Sequence, residues 1–79
     1  MTRDDVRAMA DAMFPNEAPG VIMSILDEYG TESHERERDR VQRAVLFLSA
    51  GDTDKLLHNV NVAKQDYRDV LMWAEYPDA

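Results

Sequence analysis

The sequence predicts an all-α protein: a small up-and-down helical bundle in a single domain over 1–79. Three observations carry that expectation. Apolar residues recur at intervals of three and four, strand-like alternation is absent, and most of the three glycines and three prolines fall between the periodic stretches.

The first helix opens at Thr2, a hydroxyl able to cap free amides, with Asp4 and Asp5 opposing the dipole in its first turn. Val6, Met9, Ala10 and Met13 then share one face, until Pro15 forces Phe14 out of helical geometry. A second short helix is expected from Asn16 as cap, with Pro19 in its first turn. Ile22, Ile25, Leu26 and Tyr29 line its face, and Gly30 supplies a left-handed stop.

The third helix is expected over about 31–49, starting at Thr31 or Ser33 and closing at Gly51. Its first half reads as a charge ladder, with Glu32 and Arg36, Glu35 and Arg38, and Asp39 and Arg43 three or four residues apart. Its second half is apolar, with Val41, Ala44, Val45 and Leu48 in register. The fourth helix is expected over about 53–75, capped by Asp52 and ended by Pro77. Leu56, Val60, Ala63, Tyr67, Val70 and Ala74 give it a heptad seam, and the short link Ala50-Gly51-Asp52 makes helices three and four a long antiparallel hairpin.

That pairing leaves a mismatch at the open end. Val70, Leu71, Met72, Trp73 and Ala74 surround the helix with apolar groups, more than one neighbour can bury. Two arrangements answer this: the two N-terminal helices fold over the open end, or part of the surface from Tyr67 to Tyr76 meets a second copy or another protein. Tyr67 and Trp73 read as core and Tyr76 as a contact residue; Tyr67, Leu71, Met72, Trp73 and Tyr76 together are the interface candidates.

Composition narrows the function classes. Seventy-nine residues hold one core, and without cysteine there is neither a disulfide nor a thiolate for metal or nucleophilic chemistry. A net charge of −7 repels phosphate backbones and anionic headgroups, and the arginines Arg36, Arg38, Arg40 and Arg43 alternate with acids. Neither nucleic acid nor membrane is expected as a partner. Arg3 followed by Asp4 and Asp5 is unlike an export signal, and no apolar run is long enough for a membrane span, so a cytoplasmic chain is expected.

No catalytic, cofactor or metal residue is expected. His34-Glu35 has Arg38 where a zinc helix would place its second histidine, and packing of His34 beside Arg38 at the end of the hairpin is the expected role. His58, with Asp54 and Asn61, reads as a solvated face, and Asp52 and Asp54 as capping acids. Glu75 comes nearest to an acid–base candidate but reads as a surface group.

Residues 40–77, above all Asp66-Tyr67-Arg68-Asp69-Val70-Leu71 and Trp73-Ala74-Glu75-Tyr76-Pro77, resemble a small uncharacterised bacterial all-helical family with no assigned activity. The resemblance implies a bacterial, all-helical, single-domain protein and transfers no functional residue. The expected function is a noncatalytic acidic interaction or regulatory module that self-associates or binds a protein. The rivals are a ligand-binding protein or enzyme using Glu75, His34 or His58 in an interhelical pocket, and an acidic nucleic-acid mimic displaying Asp4, Asp5, Asp11 and Glu17.

Overall fold

A computed structural model describes residues 2–18 and 20–76, and all regular structure among them is helical. Five helices follow in order: α1 Arg3–Met13, α2 Val21–Leu26, α3 Arg38–Ser49, α4 Thr53–Gln65 and α5 Tyr67–Glu75. The third of these is central, with α1, α4 and α5 all packed on it; α2 lies against α1 and α4, and α5 also packs on α4. Among the described residues, no helix is long and apolar enough to cross a membrane.

The first helix begins as its sequence requires. Thr2 and Asp5 form a reciprocal capping box, with the Thr2 amide donating to Asp5 Oδ2 at 2.9 Å. Val6 and Ala10 turn into the core, and the chain leaves the helix at Phe14, whose ring is buried. The second helix starts later than the sequence predicts. Asn16 does not cap it; Gly20, with φ at +89°, precedes Val21 and no side chain caps the free amides. Pro19 and Pro77 lie outside the described residues.

The expected helical start at Thr31 or Ser33 is replaced by an irregular segment from 27 to 37, and α3 begins only at Arg38. Side chains hold this segment where a helical ladder would otherwise have formed. The Glu35 carboxylate, buried, accepts from the amides of Gly30 at 2.7 Å and Thr31 at 3.1 Å, and from Lys64 Nζ at 3.2 Å. Tyr29 donates its hydroxyl to the Arg36 carbonyl at 2.7 Å, and buried Gln42 donates to the carbonyls of Leu26 and Tyr29. Bidentate contacts from Arg3 to Asp27, at 2.8 and 2.5 Å, tie α1 to the same segment. Glu35 therefore cannot pair with Arg38 as a ladder would have it, and Asp39 meets Arg38 rather than Arg43.

The expected single helix over 53–75 is two helices. As one rod it would run about 33 Å, longer than the greatest extent of the fold, 31 Å. Asp66 breaks it: at φ −158° and ψ 101° its own amide closes α4 on Val62, while its side chain accepts from the Arg68 amide and caps α5. The seam survives the change of direction. Leu56, Val60, Ala63 and Val70 are buried, and Tyr67 and Ala74 pack against the core.

Burial in α3 is wider than the predicted stripe because three helices surround it. Leu46 and Gln42 are enclosed along with Val41, Ala44 and Val45, whereas Leu48 is only half-buried. Ser49 and Asn59 add a buried polar contact between α3 and α4, Asn59 Nδ2 donating to Ser49 Oγ at 3.3 Å. Ala50, rather than Gly51 alone, turns left-handed at the end of α3, with φ at +50°.

Two substitutions at left-handed positions are expected to act with opposite signs. Ala50→Gly relieves a Cβ penalty and raises stability by about 0.5–1 kcal/mol. A methyl at Gly30, where φ is +107°, would stand 2.6 Å from Arg38 Cγ and Cδ, so Gly30→Ala lowers stability by about 1–3 kcal/mol. Chemical denaturation of the two variants measures both; a neutral Gly30→Ala would contradict this packing of Arg38.

Candidate functional site

The capping of α5 by Asp66 sets which of its faces is inside. With the helix started at Tyr67, Val70 and Leu71 are buried and Tyr67 and Ala74 half-buried against the core, so the remaining apolar residues point outward. Met72 is 47 % exposed, Trp73 45 % and Tyr76 63 %. Met72 and Trp73 are successive positions in the last turn of α5 and Tyr76 follows as its C-cap, so the three exposed residues lie at the same end of the helix. The expectation that Trp73 is core is therefore corrected: α1 and α2 pack on α3 and α4 and leave this flank open. Of the interface candidates, Met72, Trp73 and Tyr76 reach the surface together, Tyr67 reaches it in part, and Leu71 belongs to the core.

A second surface feature lies between α1, α3 and α5. Met9, Ala44, Phe47 and Ala74 form the apolar lining of a cleft of about 240 Å3, with Arg40, Arg43 and Glu75 around it. Arg40 Nε donates to Glu75 Oε2 at 2.8 Å, a second nitrogen reaches the other Glu75 oxygen, and Nη1 reaches Glu37 Oε1 at 3.0 Å. The Arg40 guanidinium holds the Glu75 carboxyl below its ordinary range, which keeps it ionised at neutral pH. Phe47, 58 % exposed, sits one turn beyond Arg43 on the same side of α3.

The histidines stand apart from both features. His34 is exposed outside any helix, with Nε2 3.7 Å from Glu35 Oε2, and does not extend a line through Arg38, Val41 and Val45. His58, Asp54 and Asn61 are all exposed on α4. Among the described residues, no three His, Cys, Asp or Glu side chains gather as a metal ion requires. Of the acids near the N-terminus, Asp5 is drawn back onto Thr2, which lowers its pKa through the Thr2 backbone hydrogen bond.

No protein-family model, curated protein or solved structure matches this chain. Its site residues are accordingly argued from its own geometry, and none is carried over from a relative.

Sequence reasoning missed Arg43, Phe47 and Met9 as parts of one cleft. Phase carried the missing signal: Phe47 falls outside the Val41, Ala44, Val45 and Leu48 register, six residues from Val41, and Arg43 stands one turn before it. The break at Asp66 had a signal too, since Asp66 is followed at the third position by Asp69, an acidic cap pattern within an apparently continuous helix.

Burial of Glu35 would by itself raise its pKa, but the Gly30 and Thr31 amides and the Lys64 ammonium outweigh it and hold the carboxyl below its ordinary value of 4.5. The stabilisation from this shift is complete above the unfolded value and is lost as pH falls through the lowered folded value. Glu35→Gln is expected to cost about 1–3 kcal/mol at neutral pH. That deficit should shrink on acidification below pH 4.5 as the wild-type carboxyl takes up its proton. Urea denaturation over a pH series measures it, and a deficit constant down to ~pH 2 would contradict the role of the charge.

Proposed function

We propose that this protein is a noncatalytic interaction module that pairs with a second copy of itself through the outer flank of α5, on a scaffold in which α3 and α4 form an antiparallel hairpin. The observation that carries the reading is the exposure of Met72, Trp73 and Tyr76, each about half or more exposed, at the C-terminal end of a short capped helix. Aromatic and methionine side chains of this kind dominate interface energies because they shed a large apolar area for little lost rotamer freedom.

Area and charge set the strength. The flank offers on the order of 300 Å2 of apolar surface per copy, against ~800 Å2 per partner in a standard interface. Two copies each carrying −7 also repel one another. The pairing is accordingly weak and reversible, driven by apolar contact, and strengthened when salt screens the repulsion. The noncatalytic part of the reading rests on Glu75. It is an ionised partner of Arg40, with its pKa lowered rather than raised as acid catalysis at neutral pH would need.

Sedimentation equilibrium from ~10 µM to ~1 mM tests the proposal. The weight-average mass should rise above the 9.1 kDa monomer with concentration, and rise further at high salt. Trp73→Ala should abolish that rise while costing about 1 kcal/mol or less in stability, since the ring is only partly buried. A monomeric mass throughout, or full association of the Trp73→Ala variant, would overturn it.

A further inference from the structure

Charge is unevenly spent around the cleft between α1, α3 and α5. Arg40 is shared between two carboxylates, Glu75 and Glu37, which compensate its charge. Arg43 is exposed, and among the described residues no carboxylate lies within ion-pair distance of it. Its field reaches Asp5, but that carboxylate is already bonded to the Thr2 amide. A chain of net charge −7 thus keeps an unspent guanidinium beside an open apolar hollow.

We infer that this cleft is a binding site for a small aryl carboxylate carrying a single negative charge, a site separate from the α5 flank and independent of the pairing proposed for it. The guanidinium of Arg43 presents a planar fork that matches a carboxylate with two parallel hydrogen bonds. Phe47, one turn along, supplies a ring face for an aromatic body, and Ala44, Ala74 and Met9 leave room and apolar contact beneath it. A dianion such as a phosphate monoester fits less well. Of the two arginines that line the cleft, only Arg43 has no carboxylate at ion-pair distance among the described residues, and the Glu75 and Glu37 carboxylates at the Arg40 side repel a second negative charge. A volume of about 240 Å3 falls just below the range of drug-sized pockets, which limits the ligand to one or two fused rings. Affinity for so small a body is correspondingly modest, with Kd on the order of 0.1–1 mM.

Naphthalene carboxylate and its neutral isostere naphthalene carboxamide serve as probes, titrated into isotope-labelled protein and followed by amide NMR shifts. The carboxylate should shift Met9, Ala44, Phe47 and Ala74 in a saturable way, and the carboxamide should bind roughly tenfold or more weakly. Arg43→Gln should weaken the carboxylate by a similar factor and keep the wild-type spectrum elsewhere, because the exposed Arg43 side chain makes no ion pair among the described residues. Trp73→Ala, which removes the proposed pairing, should leave carboxylate binding unchanged. The inference is overturned by equal binding of the two probes, by full binding to Arg43→Gln, by shifts confined to Met72, Trp73 and Tyr76, or by no saturable shift up to ~5 mM.

Discussion

A buried carboxylate, Glu35, fixes the geometry on which the rest of the molecule depends. It gathers two backbone amides and the ammonium of Lys64 from α4, so the segment from 27 to 37 is clasped to the outside of α4 rather than wound into α3. Tyr29 and Gln42 close the same segment from inside, Tyr29 donating to the Arg36 carbonyl and Gln42 to the Tyr29 carbonyl. Delaying α3 to Arg38 makes it short enough to be surrounded by α1, α4 and α5. The phase that follows puts Leu46 in the core and Phe47 in solvent, and carries Arg40 to Glu75.

Asp66 is the second fixed point, and its effect is directional. An extended residue between two helices lets α5 turn away from the line of α4 and lie on α3 as well. The heptad seam tolerates this because burial needs each apolar residue to face the core, with no requirement that the residues belong to one straight rod. The turn leaves α5 with neighbours on one side only, and nine residues with an apolar majority then necessarily present a greasy flank. Exposure of Met72, Trp73 and Tyr76 is thus a consequence of where Asp66 caps.

What was legible in the sequence follows the range of the interaction. Thr2 with Asp5, Asp52 at the start of α4, and Phe14 before Pro15 are settled within one turn of chain, and they stand where local chemistry puts them. The all-helical class and the inward faces of α1 and α4 were equally accessible, because periodicity reports them directly. The helical reading of 31–37 failed for the opposite reason. Glu32, Glu35, Arg36 and Arg38 satisfy every local rule for a salt-bridged helix, but Glu35 gains more from amides and from a lysine 29 residues away. Trp73 misled similarly: hydrophobicity predicts that it is buried, while only the direction of α5 decides on which side it falls. The cleft was least visible, since it needs the phase of α3 and the positions of α1 and α5 together.

The acidity of the chain has a structural explanation that bears on how its surfaces work. Asp4, Asp5, Asp39, Asp54 and Asp69 occupy first turns, and Asp52 and Asp66 cap helices, so much of the negative charge sits where exposed amides and helix dipoles favour it. Fixed in these places, the carboxylates are partly neutralised by the backbone, and their abundance need not signal a basic partner. Basic residues are correspondingly scarce at helix ends, where Lys64 alone occupies a last turn and is drawn to Glu35. Among the described residues Arg7, Arg36 and Arg43 have no carboxylate at ion-pair distance, and of these three it is Arg43 that lines the apolar cleft between α1, α3 and α5. Arg40 is held by Glu75 and Glu37; Arg43 has no carboxylate at ion-pair distance among the described residues, and the apolar hollow beside it is where a ligand's carboxylate would supply one.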